Sequence, residues 1–448
     1  MKKNSRPQHM SHSRIMLLGF LIVIAVGTVL LALPISSRSG EWTNPLSALF
    51  TATSATCVTG LVVVDTYRYW NIFGQVIILI MIQIGGLGFI TLGVLLSMFL
   101  RQKIGLEKRN LIQESVSAMQ LSGVVKLVKN IVKGTFVMEG IGAVILSIRF
   151  IPSMGILEGL YNGLFHSVSA FCNAGFDLMG RYEEYSSLTR YYSDPVVNIT
   201  VMLLIILGGL GFIVWEEIKI NRFYFKKYSL HAKMVLLMTT ILIFGGAVLY
   251  WLFERDNLMQ GMNVYEQGIT SLFASVTART AGYNTIDLAG MTQPSKLLTI
   301  ILMFIGGSPG STAGGVKTTT LLVMIVYIWS NLRNSSGCNI FGRRVGDEDI
   351  KKSSMVFGLN LFLAILAMVV ISATGEFVIE DLMLEVFSAI GTVGLSTGIT
   401  RQLNVLSQLV IILLMYCGRI GSMTFALSFT YKMESAPVLY PEERINVG

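Results

Sequence analysis

SAIGTVG, at residues 388–394, is one of four related clusters of small residues around which the chain is organised. The other three are SATCVTG at 54–60, SAFCNAG at 169–175 and VTARTAG at 276–282. Each cluster ends in a glycine, and successive final glycines lie 115, 107 and 112 residues apart. This regular spacing predicts four copies of one structural unit, each about 110 residues long.

A second glycine motif follows each cluster and begins 24 to 33 residues after its final glycine. The motif reads GGLGF at 85–89 and again at 208–212, GGSPG at 306–310 and GRIG at 418–421. Small residues let membrane helices approach closely, so helix packing is one interpretation of these glycines. The same interpretation suits the clusters poorly, because they follow a short apolar run and precede polar segments.

The composition is that of a membrane protein. Of the 448 residues, 53% are hydrophobic and 13% are charged, whereas a soluble domain carries roughly 25% charged residues. Disorder, collagen, coiled coil and a disulfide scaffold are all excluded by these figures. Eight segments are long and apolar enough to span a bilayer. They are residues 15–37, 71–100, 131–150, 195–215, 234–253, 297–316, 353–375 and 402–431. Two of them are interrupted by one charge, Glu139 in 131–150, which also has Lys133 and Arg149 near its ends, and Arg419 in 402–431.

The net charge of +8 divides unevenly between the two sides of such a topology. The side with both termini has 23 Lys and Arg against 10 acidic residues, and the opposite side has 9 against 15. Because loops rich in Lys and Arg stay inside the cell, both termini are predicted to be cytoplasmic in a bacterial cytoplasmic membrane. The basic loops therefore reflect orientation in the lipid bilayer, and we expect no nucleic-acid partner.

Each unit is predicted to contain a helix, a re-entrant segment and a second helix. The run before each cluster has 10–14 residues, which is too short to span and suits a re-entrant pore helix. The expected fold is an all-α polytopic membrane protein with eight transmembrane helices and four pore helices around a pseudo-fourfold pore. The predicted repeats are residues 1–100, 101–220, 221–332 and 333–448.

The clusters have the chemistry of a site for a monovalent cation. Irregular backbone at membrane depth survives only where it lines a cavity or a water-filled path, and a ring of its carbonyls can replace the water around a cation. Glycine can turn a carbonyl toward the axis, and the pore helices direct negative dipole ends there. The clusters contain no carboxylate, which disfavours divalent cations. The predicted filter residues are Val58, Thr59, Gly60, Asn173, Ala174, Gly175, Thr280, Ala281, Gly282, Thr392, Val393 and Gly394.

The fourth cluster also resembles a known family. Thr392-Val393-Gly394-Leu395 looks like a shortened form of the Thr-Val-Gly-Tyr-Gly filter of potassium channels. Four degenerate copies of a helix–pore–helix unit resemble the Trk/Ktr/HKT superfamily of cation transporters over nearly the whole chain. The short N-terminus and compact loops look most like KtrB, the ion-translocating membrane subunit of bacterial Ktr potassium-uptake systems.

This resemblance implies a function and partners. It implies potassium uptake through a channel-like pore, with K⁺ bound at Gly60, Gly175, Gly282 and Gly394, and discrimination against Na⁺ looser than in a true channel. It also implies a membrane homodimer and a separate cytosolic ring of KtrA-type subunits that bind ATP or ADP. The chain itself is expected to need no cofactor, and dependence on Na⁺ is left open.

The third repeat contains GGSPGSTAGGVKTTT at 306–320, whose glycines and proline should break its second helix. A phosphate-binding loop is disfavoured, because Val316 separates Gly315 from Lys317-Thr318 and the context is an apolar span. Similar proteins have an intramembrane gating loop here. The predicted gate residues are Gly306, Gly307, Ser308, Pro309, Gly310, Ser311, Thr312, Ala313, Gly314, Gly315, Lys317 and Arg419.

Two arginines stand out. Arg419 lies within the last span, where an arginine costs at least ~2.5 kcal/mol and normally faces a cavity. It is predicted to form a barrier in the ion path with the loop, and the alternative is a structural pair with Glu139. Arg279, in the third cluster, is expected to support the filter through an acid such as Glu266 or Asp177.

Two other classes of protein are disfavoured. The four histidines and four cysteines show no metal-ligand spacing, so an enzyme is not expected. A secondary active transporter of a small organic solute remains the alternative. Such a transporter would be expected to show two inverted repeats of many helices, whereas this sequence shows four parallel copies.

Overall fold

The computed structural model describes residues 12–88, 123–222, 224–335 and 337–429, with isolated positions at 91, 113, 441 and 443. Parts of three predictions lie outside the described residues. They are most of the second half of the span 71–100, much of the basic loop 101–133 and most of both termini.

The described part of the chain is nearly all helical, with one short hairpin formed by β1 (Asn339–Ile340) and β2 (Arg343–Arg344). In chain order the helices are α1 (His12–Ala32), α2 (Pro45–Thr56), α3 (Thr66–Tyr69), α4 (Ile72–Leu87), α5 (Val124–Met154), α6 (Ile156–Phe171), α7 (Pro195–Gly209), α8 (Phe212–Asn221), α9 (Leu230–Glu254), α10 (Val264–Thr277), α11 (Gln293–Phe304), α12 (Thr318–Leu332), α13 (Asp347–Ser372), α14 (Ile379–Gly391), α15 (Val405–Ile420) and α16 (Ser422–Phe429).

Four helices among the described residues, α1, α5, α9 and α13, are long and apolar enough to cross a membrane. The pair α7 and α8, bent by 97° at a short break, makes a fifth span if it is counted as one. The predicted spans 71–100, 297–316 and 402–431 correspond to the shorter apolar helices α4, α11 and α15, while α12 is a further apolar helix that begins after the predicted span 297–316 ends. The prediction of an all-α polytopic membrane protein is confirmed.

The same order of elements recurs four times. A long helix is followed by a short helix that ends at a cluster, and then by a helix that stops at the second glycine motif. The short helices α2, α6, α10 and α14 have 12, 16, 14 and 13 residues. Their cluster ends are buried throughout, so the centre of the molecule consists of these short helices and the long helices surround them.

The second helix of each repeat is shorter than predicted, and only the break in the third repeat was expected. Helices α4, α7 and α15 end beside Gly88, Gly211 and Gly421, whose φ angles are 81°, 91° and 93°. A right-handed helix cannot continue through a positive φ, and glycine adopts it without steric cost. The prediction of continuous spans over 71–100, 195–215 and 402–431 is therefore wrong at these glycines.

Candidate ion-binding site

The final glycines of the four clusters form a closed ring, called the glycine ring below. Each glycine lies against the carbonyl oxygen of the residue that precedes another final glycine. A Cβ built on Gly60 would lie 2.5 Å from the Ala174 oxygen, and one on Gly175 would lie 2.7 Å from the Ala281 oxygen. The contacts around the ring are Gly60–Ala174, Gly175–Ala281, Gly282–Val393 and Gly394–Thr59.

The backbone at the ring is left-handed at two positions in every cluster. The glycines have φ angles of 67° to 96°, and the residues two positions earlier have φ angles of 51° to 72°. Those earlier residues are not glycines, and three of them are β-branched, a class for which positive φ is a genuine outlier. Such strain persists only where the surrounding structure enforces it, and it clusters at functional sites. The four strained residues are Val58, Asn173, Thr280 and Thr392.

Side-chain hydroxyls on the short helices hold the ring in place. Ser54 Oγ accepts a hydrogen bond from the Gly60 amide at 3.1 Å, and Ser388 Oγ accepts one from the Gly394 amide at 3.0 Å. In the second repeat Ser169 Oγ instead donates to a carbonyl just beyond the ring. Thr277 does the same in the third repeat, where valine replaces the aligned serine. Three of the four clusters begin with these serines, Ser54, Ser169 and Ser388, six residues before the final glycine. The structure adds what they contact.

A cavity of about 170 Å³ lies next to the glycine ring. Its wall includes the four ring glycines and the charged residues Asp65, Asp177, Asp287 and Arg401. The pKa of Asp177 is raised to about 7, mainly by burial and to a smaller extent by the nearby Asp65 charge, against the lowering effect of a hydrogen bond from the Met179 amide. With three carboxyl groups and one arginine in its wall, this cavity, called the entrance below, attracts cations.

The loop at residues 305–317, called the intramembrane loop below, joins α11 to α12. It is slightly shorter than the predicted 306–320, because 318–320 form the first turn of α12. A hydrogen bond of 2.8 Å from the Gly306 amide to the Val316 oxygen closes its base. Gly314 packs directly against the Thr392 side chain, which places the loop beside the fourth cluster.

The intramembrane loop is held by the helix break in the second repeat. The Ser308 amide donates to the Gly209 oxygen at 3.0 Å, and the Phe212 amide donates to the Gly310 oxygen at 2.8 Å. Thr312 donates to the Gly208 oxygen through its amide. Nothing in the sequence had linked 208–212 to the loop or predicted a break there, although the repeated GGLGF motif had singled out this segment.

Arg419 connects the intramembrane loop to the first repeat. Its guanidinium donates to the Thr312 oxygen, to the Gly85 oxygen and, at 3.1 Å, to the Gly86 oxygen. Lys317 bends back onto its own loop, where Nζ donates to the Ala313 oxygen at 2.7 Å and to the Gly314 oxygen at 3.3 Å. Both cations are therefore bound by backbone carbonyls.

The alternative pairing of Arg419 with Glu139 and the expected pairing of Arg279 with Glu266 or Asp177 are both wrong. Glu139 accepts hydrogen bonds from Gln83 and Cys172 and does not pair with Arg419. Arg279 pairs neither with Asp177, which accepts from the Met179 amide, nor with Glu266, which caps the far end of α10. At 1.5 Å per residue, that end is about 20 Å from Arg279. Arg279 is 7% exposed, and its Nε has no acceptor among the described residues.

The second glycine motif packs against the short helices. A Cβ on Gly85 would meet the Thr56 oxygen, and a Cβ on Gly208 would meet the Phe171 oxygen. Gly418 lies in the same way against the oxygen of Ile390. In each pair the carbonyl belongs to the residue four positions before a ring glycine. This contact supports the packing interpretation of the motif in three of the four repeats.

A closed ring of backbone carbonyls at the centre of an apolar helical shell defines the chain as a membrane protein of the ion-transporting class. The model of one protein family, TrkH, described as "Cation transport protein", matches residues 2–439. The chain belongs to this family.

Three relatives match over nearly their whole length. The potassium/sodium uptake protein NtpJ of Enterococcus hirae is 41% identical over 100% of this chain and 99% of its own. The Ktr system potassium uptake protein B of Bacillus subtilis is 40% identical over 97% of this chain and 96% of its own length. The protein of the same name from Vibrio alginolyticus is 37% identical over 97% of this chain and 94% of its own length.

A solved structure has the same fold. The crystal structure of the potassium transporter TrkH from Vibrio parahaemolyticus superimposes with a TM-score of 0.73. It covers 96% of this chain and 87% of its own, at 17% identity.

Proposed function

We propose that this chain carries potassium into the cell through a channel-like pore, with the glycine ring as its selectivity filter. The observation that carries the proposal is the closed ring itself, in which four glycines of positive φ lie against four carbonyl oxygens. Three relatives that match the whole chain are named for potassium uptake, which supports potassium as the ion.

The filter works by replacing water. A dehydrated K⁺ at the ring would be coordinated by carbonyls of residues 58–60, 173–175, 280–282 and 392–394, with no formal charge involved. The C-terminal ends of α2, α6, α10 and α14 add about −0.5 charge each. Inward movement of one cation down the membrane potential releases ~2.3 kcal/mol per 100 mV, so this chain needs no ATP hydrolysis.

The intramembrane loop and Arg419 form the gate in this proposal. The loop lies beside the fourth cluster and is held from the second repeat, while Arg419 links it to the first repeat. A guanidinium close to the path repels a cation, and its release together with the loop would open the path. Lys317 would act with Arg419 as a second positive charge.

The remaining proposals concern topology and partners. Both termini would be cytoplasmic in a bacterial cytoplasmic membrane, the four repeats would follow the predicted boundaries, and two copies would form a homodimer. A cytosolic ring of KtrA-type nucleotide-binding subunits would control the gate. The name "Ktr system", which two relatives carry, supports a protein of several components.

Uptake measurements test the central proposal. The purified chain in lipid vesicles, or the chain expressed in a potassium-uptake-deficient strain, should take up K⁺ and Rb⁺ with lower KM than Na⁺. Empty vesicles are the control. Uptake of an organic solute without cation flux would overturn the proposal and favour a secondary active transporter.

A further inference from the structure

Glu385 is a fully buried carboxylate close to the glycine ring. It lies on α14, nine residues before Gly394, and its exposure is 0%. Its two oxygens accept hydrogen bonds from Ser396 Oγ at 2.7 Å and from Thr400 Oγ1 at 2.5 Å. Among the described residues it has no Lys or Arg partner. Hydrogen bonds are what make such burial tolerable.

The two hydroxyls belong to the segment that continues the filter. Ser396 and Thr400 line the cavity beside the ring together with Gly394. Ser396 Oγ also accepts from the Gly398 amide at 2.9 Å, so it fixes the turn that follows. Ser388 Oγ accepts from the Gly394 amide at 3.0 Å. Helix α14 therefore bonds this segment through both Ser388 and Glu385.

The second repeat has an equivalent contact. Such a contact, in which a side chain nine residues before a ring glycine accepts a hydrogen bond from the segment just beyond the ring, is called a tie below. His166 lies nine residues before Gly175, and its Nε2 accepts from the Leu178 amide at 3.3 Å. Its Nδ1 lies 2.8 Å from the Asn162 oxygen, so Nδ1 carries the proton and the ring is neutral. Leu178 is three residues past Gly175, which puts this tie on the corresponding segment of the second repeat.

The other two repeats lack this tie. The matching positions are Thr51, whose buried Oγ1 has no partner among the described residues, and Phe273, which has no polar atom in its side chain. The contacts run from Gly60 to Gly175, Gly282 and Gly394 in turn, so the tied repeats face each other across the ring.

We propose that Glu385 and His166 are positioning residues that set the preference of the ring for potassium over sodium. This proposal rests on the proposed function of the ring as a potassium filter. Na⁺ is smaller than K⁺, so the carbonyls must move inward to coordinate it. Two opposite ties hold the segments beyond Gly175 and Gly394 in place and oppose that movement.

Three variants in lipid vesicles test the proposal. Glu385→Leu removes the carboxylate that accepts from both hydroxyls and leaves Ser396 and Thr400 bonded only to each other and to the Gly398 amide. The KM for K⁺ should therefore rise about tenfold while that for Na⁺ changes less. Glu385→Gln keeps an acceptor in place and should stay within about twofold of the wild type for both ions. Thr51→Val is the matched control at the untied register and should change neither.

A second set of variants tests the same proposal without a substitution at the buried Glu385. The double variant Ser396→Ala and Thr400→Val removes the same hydrogen bonds from the segment side, and it should lower the K⁺/Na⁺ preference as Glu385→Leu does. His166→Phe should act in the same direction.

Two results would overturn the proposal. The first is an unchanged K⁺/Na⁺ preference in the double variant and in Glu385→Leu, each monodisperse by gel filtration. The second is an equal change for both ions in Glu385→Gln and Glu385→Leu, which would mean that Glu385 acts through its charge. Absence of K⁺ uptake by the wild type would instead reject the filter function itself.

Discussion

Four residues that are not glycine adopt left-handed backbone beside the four ring glycines. One such residue costs of order 1–3 kcal/mol, and Val58 and Thr280 are β-branched types for which the conformation is least favourable. Their recurrence at the same register, two residues before Gly60 and Gly282, shows that the surrounding packing enforces it. Each strained residue directly precedes the residue whose carbonyl oxygen contacts the next ring glycine, as Thr59 contacts Gly394 and Ala281 contacts Gly175.

Replacing a ring glycine should damage potassium uptake. In Gly394→Ser a side chain would have to share space with the Thr59 carbonyl, at a φ of 96° that L-residues rarely adopt. The KM for K⁺ should rise at least about tenfold. Gly358→Ala is the control, because a Cβ there meets nothing within 4 Å. Uptake in vesicles gives both KM values, and equal values would contradict the role of the ring.

The pH outside the cell should modulate uptake through Asp177. Its pKa is raised to about 7, so it becomes protonated as the pH falls through that value and the entrance loses negative charge. The KM for K⁺ should therefore increase below about pH 7. Asp177→Asn should show the acidic KM at every pH. A wild-type profile that is flat between about pH 6 and 8 would reject this prediction.

At the scale of elements, a break in a helix provides the docking surface for a loop. The 97° bend between α7 and α8 exposes backbone groups that a continuous helix would have used internally. The intramembrane loop takes up those groups by hydrogen bonding to Gly208, Gly209 and Phe212. One irregular segment thus satisfies another, which is how both survive at membrane depth.

Removing the arginine from the proposed gate should increase K⁺ flux. A unit charge about 4 Å from the path opposes a cation by roughly 1–4 kcal/mol, so Arg419→Ala should raise K⁺ flux about tenfold. Arg419→Lys keeps the charge and cannot bond the Thr312 and Gly86 carbonyls together. Raised K⁺ flux in both variants would show that the link made by Arg419 between the loop and the first repeat, and not its charge alone, keeps the path closed. Unaltered flux in Arg419→Ala and in a loop deletion, with both proteins folded, would reject the gate.

Weakening the contact between the intramembrane loop and the helix break at Gly211 should also increase K⁺ flux. In Gly211→Ala a Cβ would lie 2.7 Å from the Pro309 oxygen at a φ of 91°, so the loop must shift. Thermal unfolding should show a loss of about 1–2 kcal/mol, together with raised flux. Gly245→Ala, on α9 with nothing within 4 Å of its Cβ, should lose no stability.

At the scale of the whole molecule, the usual arrangement of a soluble protein is reversed around the ring. Exposed apolar side chains cover the long helices, as with Ile22, Val29 and Phe362. The buried centre contains threonines, serines and charged groups such as Glu385. Lipid requires the first feature, and an ion without its water shell requires the second.

Chemical labelling should reveal the orientation of the chain. The four native cysteines, at 57, 172, 338 and 417, are buried, so the wild type should react little with a membrane-impermeant maleimide. Asp256→Cys, at a side chain that is 86% exposed, should be labelled in intact cells. Lys226→Cys should be labelled only after permeabilisation, because its loop is basic. The reverse pattern would invert the topology.

Much of this protein follows from its sequence alone. Hydropathy predicted the long helices, and the spacing of glycines predicted four copies, each with a glycine that can adopt positive φ. These features are local, because a positive φ or a run of apolar residues is required by the nearest backbone and by lipid. The tertiary structure decided the rest. Closure of the ring by Gly394 on Thr59, the bonds of Arg419 to Gly86 and the separation of Arg279 from Asp177 and Glu266 join or separate segments far apart in the chain. Such contacts depend on how the helices pack, and no local preference encodes them.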